Sequence, residues 1–299
     1  MEEKPETQHR AGFVNIIGNP NVGKSTLMNA LVGERLSIIT SKAQTTRHRI
    51  HGIVNGEDFQ IVYSDTPGIL EPAYKMHEGM MQFVHTALND ADVLLLVVEL
   101  GEQGFRNEAV LKRIQKSDTP VVLVINKIDL GNQEILEEKV DFWHGQFPEA
   151  TILPVSALGK VNTEQVIKAI LRMLPPSPPY FSKEELTDRP LRFFVSEIIR
   201  EKIFLNYQKE VPYSCEVVIE AYEEGEKLDR IRAEIHVARN SQKGILIGHK
   251  GSMLKKTGTE ARKEIEAFVG KKVFLDLHVK VSKDWRENER QLKRFGYFH

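Results

Sequence analysis

Gly18-Asn19-Pro20-Asn21-Val22-Gly23-Lys24-Ser25, followed by Thr26, joins two glycines, a lysine and a hydroxyl at the spacing G-x-x-x-x-G-K-S. Such a loop can turn backbone N–H groups toward phosphate at a helix N-terminus, with Lys24 neutralising β and γ charge and the Ser25 hydroxyl free to ligate Mg²⁺. The strand-like run 13–17 before it and the helix-like run 26–31 after it are the context this motif demands. Asp65-Thr66-Pro67-Gly68 is a common pattern on its own. Its place after the apolar run 61–63 lets Asp65 hold the metal through water and the Gly68 N–H meet a γ-phosphate. Asn126-Lys127-Ile128-Asp129 closes the apolar run 121–125. A carboxylate at Asp129 accepts from the N1–H and N2 amino groups of guanine but would meet the unprotonated N1 of adenine with no donor, so ATP is rejected. Asn126 is expected to brace this loop, and the Lys127 stem to cover the ring. Ser156-Ala157-Leu158, after the run 152–155, can offer a backbone N–H to guanine O6. Residue 69, directly after Gly68, is Ile69, an apolar side chain that cannot orient a water, so any hydrolysis of a bound nucleotide is expected to be slow.

The elements that must carry these loops follow from the pattern around them. Short β-branched runs at 13–17, 61–63, 93–98, 121–125 and 152–155 alternate with longer helix-compatible stretches, which predicts an α/β P-loop domain: a mostly parallel sheet with helices on both faces. The chain of 299 residues is long enough for two domains. Four prolines in five residues, Pro175-Pro176-Ser177-Pro178-Pro179, predict a stiff extended linker. The expected division is a flexible N-terminus at 1–10, a nucleotide domain at 11–174, a linker at 175–189 and a second domain at 190–299 that ends in a helix.

Composition narrows the class. Hydrophobic residues at 41% and charged residues at 28% fit a soluble globular chain. One cysteine, Cys215, excludes a disulfide scaffold or a multi-thiolate zinc site. The charged start and the shortness of the apolar runs predict a cytoplasmic protein without signal peptide or membrane span. The net charge of -1 hides a segment, residues 239–299, with 15 basic against 7 acidic residues, where a polyanion is expected to bind.

That segment contains Ile245-Leu246-Ile247-Gly248-His249-Lys250-Gly251: an apolar turn and a G-x-x-G with a basic residue inside, preceding a helix in which Leu254, Gly258, Ala261, Ile265 and Phe268 keep helical spacing. Before it, Ile231, Ala233, Ile235 and Val237 alternate with polar residues, and after it Val273, Leu275, Leu277, Val279 and Val281 do the same. The region is expected to be α+β and resembles a KH domain of type II, ordered helix, strand, strand, helix, helix, strand. In such domains the loop clamps the backbone of about four single-stranded nucleotides. The resemblance assigns RNA contact to Ile247, Gly248, His249, Lys250 and Gly251, with Lys255 and Lys256 adding charge, and no DNA partner.

The first region resembles a small GTPase of the translation-factor class. Together with the KH-like region, the loop Lys42-Ala43-Gln44-Thr45-Thr46-Arg47-His48-Arg49 and the stretch Ser196 to Lys202, the chain resembles the Era family of bacterial GTPases along nearly its whole length. The resemblance implies a GTP-hydrolysing switch, with Mg²⁺, that binds the single-stranded 3′ end of small-subunit ribosomal RNA during subunit assembly. It implies a threonine that closes over Mg²⁺ and the γ-phosphate: Thr46 is favoured, directly before the arginine, with Thr45 the alternative. It also implies a potassium ion at Asn21, and peripheral association with the inner face of the membrane, for which the sequence offers no anchor. A GTPase of the tRNA-modification or double-domain assembly kinds would lack G-x-x-G or repeat the phosphate motif. An RNA-binding module with a vestigial nucleotide site would lack Lys24, Ser25 or Asp129.

Overall fold

A computed structural model describes residues 8–298, so the expected flexibility of residues 1–7 lies outside the described residues. The chain divides into two compact units, one reaching Ser37 and taking in Thr46–Glu71 and Met80–Asp188, the other made of Ile38–Thr45, Pro72–Gly79 and the residues from Arg189 onward.

In the first unit the element order is β1 (Arg10–Ile17), α1 (Lys24–Val32), β2 (Ile50–Asn55), β3 (Phe59–Asp65), α2 (Lys75–Asn89, which belongs to this unit from Met80 onward), β4 (Val93–Glu99), α3 (Glu108–Gln115), β5 (Val121–Asn126), α4 (Gln133–Gln146), β6 (Thr151–Pro154) and α5 (Thr163–Met173). The sheet runs β2-β3-β1-β4-β5-β6, parallel throughout except that β2 pairs antiparallel with β3. β4 is buried at every position from Val93 to Val98, because helices cover both faces. On one face Leu94, Leu96 and Val98 pack with Val84 and Ala87 of α2, Val110 and Ile114 of α3 and Trp143 of α4. The strand β2 has no counterpart among the runs expected from sequence. Its short IHGIVN stretch carries a glycine and alternates poorly.

The linker is not a free spacer. Ala11 N–H donates to Pro175 O at 3.3 Å, Ser177 N–H to His9 O at 3.0 Å, and Ile53 N–H to Leu186 O at 2.8 Å. The Gln60 Oε1 atom accepts from the N–H groups of Tyr180 and Phe181 at 2.7 and 3.0 Å. Prolines that cannot enter a helix leave this stretch extended, and it lies along the first unit as far as Asp188. Arg10, expected in the N-terminal tail, already belongs to β1.

The second unit runs α6 (Leu191–Asn206), β7 (Cys215–Glu223), β8 (Leu228–Val237), α7 (Asn240–Ile247), α8 (Ser252–Val269), β9 (Lys272–Val281) and α9 (Glu289–Arg294). β7 and β8 are antiparallel, β8 and β9 parallel. Ile231, Ala233, Ile235 and Val237 of β8 face the core with Val195, Ile199 and Ile203 of α6, and Cys215 is buried beside them as a small apolar group. In α8 the buried line is Thr257, Ala261 and Ile265, while Phe268, expected on that face, is 42% exposed. The run 245–247 is the last turn of α7 and not an apolar turn between strand and loop. The C-terminal stretch closes over the sheet through Trp285 Nε1–H to Ser214 O at 3.0 Å and Tyr297 O–H to Glu216 Oε2 at 2.7 Å.

Candidate functional site

Every nucleotide motif sits at the carboxyl edge of the parallel strands, where ligands of open α/β sheets bind. Gly18 follows β1, Asp65 ends β3, Asn126 ends β5 and Ser156 lies two residues beyond β6. The phosphate loop closes at Gly23, whose φ of 95° is left-handed and whose missing Cβ would stand 2.3 Å from Asn126 Nδ2. No other residue fits both constraints. Asn126 exploits that approach: its Nδ2 donates to Val22 O at 2.8 Å and its Oδ1 accepts from Ala157 N–H at 3.0 Å. One amide therefore ties the loops at residues 18–25, 126–129 and 156–158 together.

Lys24 is buried, with its ammonium on Gly18 O at 3.0 Å and Asn19 O at 2.8 Å. Burial lowers its pKa to about 8, against the opposing pull of Asp65 and Glu102. Ser25 Oγ donates to Asp65 Oδ2 at 2.6 Å, and Thr46 Oγ1 lies 2.8 Å from Ser25 Oγ and 3.3 Å from Asp65 Oδ2. Thr45 turns its hydroxyl instead to Thr40 Oγ1 at 2.6 Å and Lys42 O at 2.7 Å. Asp65 is fully buried, which raises its pKa against the hydrogen bond from Ser25, and its Oδ1 makes no well-formed hydrogen bond. Two hydroxyls and a carboxylate with one unsatisfied oxygen make a hard oxygen donor set suited to Mg²⁺. Thr66 and Pro67 are buried behind this cluster, the Thr66 hydroxyl donating to Ile16 O at 2.7 Å. Ile69 is fully buried in the core with Ile17 and Leu94.

In the loop after β5, Asp129 is held by the Ser156 hydroxyl, which donates to its Oδ1 at 2.5 Å. Lys127 has a left-handed φ of 63°, and its ammonium pairs with Glu99 at the end of β4. Leu158 is 82% exposed. Sequence reasoning missed two of these supports, the Ser156 hydroxyl on Asp129 and Glu99 on Lys127. It also missed the Asn19 side chain, whose Nδ2 bonds Glu102 and Gly104 O while its Oδ1 accepts from Arg106 N–H at 3.3 Å. These partners lie more than 25 residues apart in sequence, and no local pattern announces them.

In the second unit the G-x-x-G joins α7 to α8. Gly248, Lys250 and Gly251 have φ values of 72°, 49° and 79°. A Cβ at Gly248 would come within 2.7 Å of Met253 Cβ, whereas one at Gly251 would meet nothing within 4 Å. Gly248 is thus required by packing inside the unit, and Gly251 leaves an open approach to the first turn of α8. His249 and Lys250 of the loop and Lys255 and Lys256 of α8 are exposed, Lys256 lying 3.9 Å from Glu260, and Ile247 is half-buried. The arrangement offers backbone N–H groups, a helix N-terminus and lysines to an anion.

Comparison with known proteins matches these two sites to two families. Residues 13–127 match the 50S ribosome-binding GTPase family, and residues 210–286 match the KH domain family. The chain is 47% identical to GTPase Era of Geotalea uraniireducens over 98% of its length and 99% of that protein, and 40% identical to GTPase Era of Staphylococcus haemolyticus over 97% and 98%. Its fold superposes with a TM-score of 0.93, at 40% identity over 97% of this chain and 100% of the other, on Era in complex with MgGDPNP and nucleotides 1506–1542 of 16S ribosomal RNA. The same score, identity and coverage hold for an Aquifex aeolicus Era variant bound to GDP·AlF4⁻. With a complete set of guanine-nucleotide motifs on a P-loop domain and a KH domain behind them, this chain belongs to the GTPase Era family and hydrolyses GTP.

Proposed function

We propose that this GTPase is a timer for small ribosomal subunit assembly in the cytoplasm, binding the single-stranded 3′ end of small-subunit ribosomal RNA through the loop Gly248–Gly251. The observation that carries this reading is the open approach at Gly251, in a loop and helix that expose His249, Lys250, Lys255 and Lys256, in a chain whose relative was crystallised with nucleotides of 16S ribosomal RNA. No helix among the described residues is long and apolar enough to cross a membrane.

On the nucleotide side, the backbone N–H groups of residues 18–26 other than Pro20 hold the phosphates, and Lys24 carries the charge opposite them. Asp129 reads guanine, Asn126 braces its loop, and the Lys127 stem covers the ring. Ser25 and Thr46 are the direct Mg²⁺ ligands, with Asp65 acting through water and Gly68 N–H meeting the γ-phosphate. When bound, Mg²⁺ neutralises charge that develops on the β and γ phosphates. The buried Ile69 leaves water activation to another agent, and Asn21, exposed in the phosphate loop with a φ of 67°, supports a potassium site beside the phosphates. A cation there would stabilise the transition state.

The test is crosslinking of the full-length protein to ribosomal RNA with a GTP analogue, with GDP and without nucleotide. Crosslinks at the 3′ end of small-subunit RNA that depend on nucleotide are expected. Crosslinks scattered over duplex RNA regardless of nucleotide would overturn the reading.

A further inference from the structure

Tyr207, the residue that ends α6, is 3% exposed, and neither the nucleotide site nor the clamp includes it. Its hydroxyl donates to Leu246 O at 2.8 Å and accepts from Thr257 Oγ1 at 3.1 Å. Leu246 lies in the last turn of α7, two residues before Gly248, where a helix leaves its carbonyls without intrahelical partners. Thr257 is fully buried in the second turn of α8, six residues after Gly251. One hydroxyl therefore joins the helix that enters the G-x-x-G loop to the helix that leaves it. The loop itself holds three residues at positive φ and is closed by Gly251 N–H to Gly248 O at 3.2 Å. Its second internal bond, Ser252 N–H to His249 O, closes only the next turn, so where the loop sits is set by the two helices it joins.

The backbone of Tyr207 is held from the opposite direction. The Lys42 ammonium donates to the carbonyls of Phe204 and Tyr207, at the negative end of the α6 dipole. Lys42 belongs to the segment Ile38–Thr45, which is part of the same compact unit and directly precedes Thr46 in the chain. α6 grips that segment a second time, through the buried Arg200, which is paired with Glu197 and donates from Nη2 to Thr45 O at 2.6 Å.

We infer that Tyr207 is a positioning residue for the RNA clamp, holding α7 and α8 at the spacing that the Gly248–Gly251 loop needs. Lys42 fixes Tyr207 in that role, so a lysine in the segment before the switch threonines sets RNA affinity without touching RNA. The inference rests on the reading of Gly248–Gly251 as the clamp. A tyrosine that only filled the core would lose little with its hydroxyl replaced by hydrogen, and Lys42 would then have no bearing on RNA at all.

The test is a titration of a labelled single-stranded RNA, with the 3′-end sequence of small-subunit ribosomal RNA, against the full-length protein and its Tyr207→Phe, Lys42→Ala and Gly251→Asp variants over a series of salt concentrations. Loss of the two buried hydrogen bonds of the Tyr207 hydroxyl, to Leu246 O and from Thr257, predicts about a fivefold lower affinity for Tyr207→Phe. Lys42→Ala should fall by a similar factor, and the double variant by less than the product, since both act through one residue. The slope of log affinity against log salt should stay at the wild-type value in both, because neither side chain neutralises a phosphate. Amide exchange at residues 248–252 should speed up in both variants while β7, β8 and β9 keep their protection, which separates a loosened clamp from a poorly folded protein. Wild-type affinity and loop exchange in Tyr207→Phe, with binding lost in Gly251→Asp, would overturn the inference and leave the clamp standing. A flatter salt slope in Lys42→Ala would overturn it too, by making Lys42 a phosphate contact. Unchanged affinity in Gly251→Asp would remove the clamp reading itself.

Discussion

Ser25 and Asp65 are joined by a 2.6 Å hydrogen bond to one carboxylate oxygen, while the other oxygen of Asp65 is buried and makes no well-formed hydrogen bond, with only a weaker pull from the Ser37 hydroxyl on this carboxylate. A buried carboxylate left half-satisfied costs stability and becomes useful only when a cation arrives. Asp65→Asn should therefore act in opposite directions on fold and function. Thermal unfolding without nucleotide should occur at the same temperature as wild type or higher, and the Mg²⁺ concentration for half-maximal GTP hydrolysis should rise about tenfold or more. A lower melting temperature with an unchanged Mg²⁺ requirement would mean that Asp65 is a structural acid.

Lys24 gives nucleotide binding a pH dependence of definite sign. Burial lowers its pKa to about 8, below the ordinary lysine value of 10.5. Below about pH 8 it is charged in both folded and unfolded chains, and its burial penalty is fully present. As pH rises from about 8 toward 10.5 the folded chain releases the proton first, so that penalty is relieved. Phosphate favours the charged form, so binding above pH 8 must take up a proton, and GDP affinity should fall by up to about tenfold per pH unit there. Calorimetry in buffers of different ionisation enthalpy at about pH 9 should register that uptake. A GDP affinity that stays flat from about pH 7 to pH 9.5 would contradict it.

Hydrolysis should survive the loss of Ile69. Its side chain belongs to the core, so Ile69→Ala should cost roughly 2–4 kcal/mol of stability. The turnover number of the folded fraction should change by less than about threefold, and stimulation by potassium over sodium at matched ionic strength should persist. Equal wild-type rates in the two salts would remove the potassium site at Asn21.

Asp129 should set the choice of base. Asp129→Asn exchanges an acceptor for an amide, which suits xanthine, whose oxygen stands where guanine carries its amino group. Competition titrations should find GTP weakened by about two orders of magnitude and XTP strengthened, since an unpaired buried polar group costs about 1–3 kcal/mol at each mismatched position. The same losses from Ser156→Ala, though smaller, would reflect the hydroxyl that orients this carboxylate.

How much of this could be read from sequence depended on range. The phosphate loop, Asp65, Asn126 and Asp129 were legible because each is a short motif attached to a strand of strong apolar pattern, and the strand ends place them on one edge. The choice between Thr45 and Thr46 was not, since both are hydroxyls in one loop. It rests on which of them turns toward Ser25. β2 escaped because its six residues include Gly52 and a histidine and show no clean alternation. The docking of the proline segment along β2 and β1, and the supports from Glu99, Glu102 and Ser156, depend on contacts between residues far apart in sequence, for which a single chain carries no local signal.

The central claim, a GTPase whose RNA binding responds to its nucleotide, is tested most directly by closing one thermodynamic square. RNA affinity would be measured with a GTP analogue and with GDP, and the affinities for both nucleotides with and without the RNA, in wild type and Gly251→Asp. The account predicts that the two nucleotides give RNA affinities differing by about fivefold or more, that RNA shifts their relative affinities by the same factor, and that Gly251→Asp abolishes both effects. RNA binding of equal strength in both nucleotide states and unaltered by Gly251→Asp would contradict it.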